Sequence, residues 1–111
     1  MNRILLIFCL GGYSTFLPAQ VNADSLHKIW NDPGQANTTR LQAIHNLARG
    51  LLHKDPEATH ALAQQELELA QKIQNKKWEG RALIVIGLTW HYRSELAKAV
   101  QYYEQSMVLL E

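Results

Sequence analysis

Cysteine is nearly missing from this 111-residue chain: its single copy, Cys9, lies in an apolar leading segment. That excludes a disulfide framework and leaves no thiolate pair for a structural zinc site. An excess of charge of one sign is missing too. Eleven basic residues meet ten acidic ones, a formal net charge of +1, so no strong field draws nucleic acid or an anionic membrane to the surface. There is no glycine-rich phosphate loop, and no serine, histidine and acidic residue stand in a recognisable nucleophile context. His27, His45, His53, His60 and His91 form no ligand motif, because none lies four residues from another. We therefore expect no catalytic residue, no cofactor and no metal. Nor is there an apolar run of spanning length: Ile4 to Leu17 covers about 14 residues, against the roughly 20 that a helix needs to cross a bilayer.

What is present begins with that segment. Met1-Asn2-Arg3 is a short positive start, Ile4 to Leu17 a mostly apolar core, and Pro18-Ala19-Gln20 offers a small residue before a polar one. This is the order of a secretory signal peptide, and it predicts an exported chain. Cleavage is expected after Ala19, with Ala23 as second choice and an uncleaved anchor as the alternative. Phe8 is too bulky for lipoprotein processing at Cys9. Removing residues 1–19 takes away Cys9 and Arg3 and leaves ten basic and ten acidic residues. Stability then has to come from packing within one domain of modest core.

The rest reads as helices. Asp24-Ser25 can cap a short helix bearing Leu26, Ile29 and Trp30, which Asn31-Asp32-Pro33-Gly34 ends. Thr38 or Thr39 can start the next, over about 39–53, whose stripe is Leu41, Ile44, Leu47, Ala48, Leu51 and Leu52. Asn37-Thr38-Thr39 also fits an N-glycosylation pattern, but a helix cap is the simpler reading. Asp55 before Pro56 is a strong start signal, since proline lacks the amide that would be orphaned there. The helix of about 56–75 carries Thr59, Leu62, Ala63, Glu66, Leu69, Ala70 and Ile73 along one side. A turn over 75–79 leads to helices of about 80–92 and 95–110. Ala82 to Trp90 is almost continuously apolar and would suit a buried strand, but its length and helical neighbours decide for a helix covered on both faces. The expected organisation is a signal peptide at 1–19, a short helix and linker at 20–36, a degenerate helical hairpin at 37–77 and a second hairpin at 78–111.

Spacing in the second hairpin is specific. Leu83-x2-Ile86-Gly87-x2-Trp90 is followed by Ala99-x3-Tyr103. Small Gly87 and Ala99 let two antiparallel helices approach, while Leu83, Ile86, Trp90 and Tyr103 fill the space around them. This resembles the tetratricopeptide repeat. The resemblance implies an all-α fold: tetratricopeptide-like hairpins forming the start of an α-solenoid. Ser94 departs from it where the inter-helix turn usually has glycine, and Leu96 where an aromatic is usual. Glu111 falls about two residues short of a repeat of roughly 34, and the expectation is a chain that continues or completes its core on a partner. The order of signal segment, Asp24-Ser25-Leu26, Trp30-Asn31-Asp32, Asn37 to Leu41, Asp55-Pro56-Glu57-Ala58 and Lys98 to Ser106 looks like the N-terminal region of exported bacterial repeat proteins. In such proteins the repeats commonly precede a membrane segment and a nucleotide cyclase or histidine kinase.

The resemblance implies a groove lined by the first helix of each hairpin, which puts Arg81, Ile84, Val85, Leu88, His91 and Tyr92 near a binding face. Ile84, Val85 and Leu88 are apolar, which argues against a clamp for a peptide carboxylate and for an apolar helix or a neighbouring subunit. Alternatively, these residues pack on a third repeat. Glu66, Glu68, Glu79 and Glu95 read as solvated charges. The function expected is a noncatalytic, periplasmic or otherwise extracytoplasmic scaffold that binds a protein or itself through the groove or the uncapped end. It would meet a membrane only through an uncleaved signal or a later segment. The rival is the sensory part of a cyclase or kinase, and a third possibility is a small self-sufficient secreted helical protein.

Overall fold

The computed structural model describes residues 18–111, with side chains from Ala23 onward, and the chain there is all α-helix. The leader expected over 1–19 lies outside these residues except for its last two. Helix α1 runs Pro18–Trp30, α2 Asn37–Leu51, α3 Pro56–Lys72, α4 Lys76–Tyr92 and α5 Leu96–Leu110. Each helix packs on the next, and α2 also touches α4. Among the described residues no helix is long and apolar enough to cross a membrane.

Local chemistry explains most boundaries. Asp55 accepts the Ala58 amide at 3.0 Å and Pro56 opens α3. Asn75 does the same for α4, accepting the Trp78 amide at 3.2 Å. Lys76 to Glu79, expected as a turn, are therefore the first turn of a helix. Two other expectations fail. Helix α1 starts at Pro18 and passes through Asp24 and Ser25, because no glycine or proline interrupts residues 19–30. Helix α2 begins after an extended Ala36 with no side-chain cap, so Thr38 and Thr39 lie inside it.

The two tight reversals are twins. After α3, the Gln74 amide donates to the Gln71 carbonyl at 3.0 Å and the Asn75 amide to the Ala70 carbonyl at 2.9 Å. After α4, Ser94 donates to His91 and Glu95 to Trp90, each at 2.9 Å. Both are Schellman endings, which place one residue in the left-handed region. Those residues are Gln74 (φ 56°) and Ser94 (φ 61°). Serine at the glycine position thus does not alter the backbone path. It is held in a conformation that costs an L-residue roughly 1–2 kcal/mol.

Packing builds two clusters. One joins Ala48, Ala63, Val85 and Ile86 from α2, α3 and α4, and the other joins Leu41, Ala70 and Trp78. Thr59 donates its hydroxyl to the Ala48 carbonyl at 2.7 Å, bringing α3 close to α2. Between α4 and α5 the contact is tighter. A Cβ on Gly87 would lie 2.6 Å from the Tyr103 ring and 3.3 Å from the Ala99 carbonyl oxygen, and one on Gly80 would lie 2.6 Å from Leu110. Ser106 is buried on the same face and donates to the Tyr103 carbonyl at 2.7 Å. Corresponding helices start 39 and 40 residues apart, Asn37 to Lys76 and Pro56 to Leu96. That is longer than the roughly 34 expected, and α3 and α4 hold 17 residues each.

Three glycines should respond differently to alanine. Gly87→Ala is expected to cost about 1–3 kcal/mol, because a ring and a backbone carbonyl bar the new methyl. Gly80→Ala should be near neutral, since Leu110 is 44% exposed and can swing aside. Gly50→Ala, with nothing within 4 Å, should gain about 0.5–1 kcal/mol. Urea unfolding of the three variants checks the order. In the same assay Ser94→Gly should stabilise by up to about 1 kcal/mol through relief of its left-handed φ.

Candidate functional site

The six groove residues do not share one open surface. Val85 is fully buried among Ala48, Ala63 and Ile86, so it belongs to the core. Ile84 and Leu88 are half-buried, and His91 and Tyr92 are exposed. The Tyr92 hydroxyl hydrogen-bonds to His53 Nδ1, tying the end of α4 to the turn after α2. Arg81 is half-buried with its guanidinium 4.7 Å from the Trp78 ring centre. Of the packing residues, Leu83, Ile86, Gly87 and Ala99 are buried, whereas Trp90 and Tyr103 are partly so. Trp90 lies beneath Arg93 and Lys98, at 5.0 and 4.4 Å from its ring centre, and edge-on to His60.

A second feature lies where the sequence suggested only solvent. Glu66 is completely buried and its Oε2 sits 2.9 Å from His45 Nδ1, while Oε1 is buried without a partner. His45 comes from α2, Glu66 from α3, and Trp78, edge-on to His45, from α4. The expectation of a solvated Glu66 is overturned because its position belongs to the buried side of α3. Burial pushes its pKa up, opposed by the His45 hydrogen bond and charge and by the charge of Arg81. The legible signal was the neighbourhood, for Glu66 falls within the Thr59 to Ile73 stripe. Loss of water from a carboxylate is costly unless it is fully bonded. This pair makes one bond where two oxygens ask for partners.

His60 shows the same economy with a neutral ring. Thr89 donates its hydroxyl to the Ile86 carbonyl at 2.6 Å, so its oxygen accepts from His60 Nδ1–H at 2.9 Å. Burial, then the charge of Arg93, lowers the His60 pKa. The Thr89 hydroxyl is fully buried and committed to a carbonyl, and no group of three metal-ligating side chains occurs among the described residues.

Apolar surface is concentrated on one helix. Of the six large hydrophobic residues standing exposed among those described, Leu96, Val100, Met107, Val108 and Leu110 all belong to α5. Compared with known protein families, characterised proteins and solved structures, the chain matches none.

The buried pair has a pH signature. Folding raises the Glu66 pKa, so from the ordinary glutamate range up to the raised value the folded chain holds a proton that the unfolded chain has lost. Stability attributable to this group therefore falls as pH rises through that window. His60 has the opposite sign: its lowered pKa costs stability as pH falls below the ordinary histidine value. Urea unfolding between pH 4.5 and 8 should show Glu66→Gln gaining on the wild type as pH rises. A constant difference across the range would refute the assignment.

Proposed function

We propose that this chain is a noncatalytic, exported interaction module built from tetratricopeptide-like hairpins, acting through the exposed face of α5. The observation that carries this reading is the concentration of exposed apolar residues on that helix. A surface patch of this kind is usual at association sites and uncommon on free monomers. Repetition supports the architecture: α2–α3 and α4–α5 use small residues at their crossings, and α3 and α4 end in the same reversal. The leader composition supports export. The buried polar side chains Thr59, Glu66, Thr89 and Ser106 hydrogen-bond within the helical packing and are not accessible to a substrate.

The test uses a dye that reports exposed apolar surface, 8-anilinonaphthalene-1-sulfonate. Wild-type chain should enhance its fluorescence or self-associate in sedimentation velocity. Val100→Glu with Met107→Glu should reduce that signal several-fold with helicity and Tm preserved, because both side chains project from the fold. Equal signals from wild type and variant would overturn the proposal.

A further inference from the structure

The chain contains its own example of how the face of α5 is covered. Helices α3 and α5 start 40 residues apart, at Pro56 and Leu96. On α3, His60 bonds to Thr89 of α4, Ala63 and Leu67 pack with Val85 and Ile86, and Ala70 packs on Trp78. Those four positions recur on α5 as Val100, Tyr103, Met107 and Leu110. Helix α4 lies over the first set. Over the second, Val100 and Met107 remain 50% and 64% exposed. The later set is the more apolar, so it gains more from being covered.

Charge specifies the occupant. The single cation of α5, Lys98, is turned back over Trp90 at 4.4 Å. The other charges on α5 and at its two ends are Glu95, Glu104 and Glu111, all exposed. In helical projection Glu104 and Glu111 lie together along one side of the line through Leu96, Val100 and Met107. In the internal example a cation of the covering helix meets an acid of the covered one: the Arg81 charge of α4 acts on Glu66 of α3. We infer that the α5 face docks a basic amphipathic helix from a protein partner, laid on α5 as α4 lies on α3. The inference rests on the interaction reading above and names the chemistry of the partner.

Two labelled synthetic helices test it by fluorescence anisotropy against the whole chain. Both carry the same Leu/Ile stripe, and they differ only in Lys/Arg or Glu on the flanks. The basic peptide should bind about tenfold tighter, the order expected of several exposed ion pairs acting together, and should weaken as salt is raised. Val100→Glu should abolish binding, and Glu104→Lys with Glu111→Lys should reverse the preference. Equal affinities, an acidic preference, or a wild-type dimer that Val100→Glu dissociates would each overturn the inference. If neither peptide binds while the dye signal still depends on Val100 and Met107, the helix assignment falls and the interaction reading stands. If that dependence is also missing, both fall.

Discussion

How closely α4 can approach α5 at Gly87 governs the C-terminal half of the molecule. With no side chain there, the Tyr103 ring and the Ala99 carbonyl move into the space a methyl would occupy. That approach turns Ala99, Tyr103 and Ser106 inward and leaves Leu96, Val100 and Met107 outward. The exposed face is thus a geometric consequence of the buried one. A helix has only one rotation about its axis to choose, and the tightest contact chooses it. Because packing is close, this contact tolerates little adjustment.

The same logic operates less strictly between α2 and α3. Ala48, Ala63 and Thr59 take the places where backbones come near, and the Thr59 hydroxyl satisfies a carbonyl there. Glu66 lies farther along the same buried side and does not fit the apolar rule. Its position is held by packing, while His45, Arg81 and the Trp78 ring between them limit the electrostatic cost. A buried carboxylate–imidazole contact is weak evidence of added stability, because desolvation offsets attraction. Its value here is in register: α2, α3 and α4 each contribute a member, so sliding any of them would strand the carboxylate.

Much of the fold was legible in the sequence, and the misses have identifiable causes. Asp55-Pro56 marked the start of α3 because a capping acid and a residue without an amide act locally. The 3.6-residue stripe of α2 and the all-round apolarity of α4 gave helix type for similar reasons. Asn75 is ambiguous in sequence, because an asparagine serves a loop or a helix cap equally well until the following residues are placed. The start of α1 is hidden in sequence, because Asp24 and Ser25 offer a cap that the longer helix does not use. Glu66 lay in the right stripe, but its charge argued for water and the stripe prevailed. Val85 and Ile84 are neighbours in sequence, and only one of them is fully buried.

By itself the sequence determined the helical class, the α2–α3 break at Asp55-Pro56 and the small residues that permit close crossings. These follow from hydrogen bonding and sterics within a few residues, which the chain carries wherever it is placed. Only the tertiary structure decided that Val85 is core, that Glu66 faces His45 and that the apolar residues of α5 divide into a packed side and a bare one. Those outcomes depend on how each helix is rotated against its neighbour, a quantity set by contacts between residues distant in the chain.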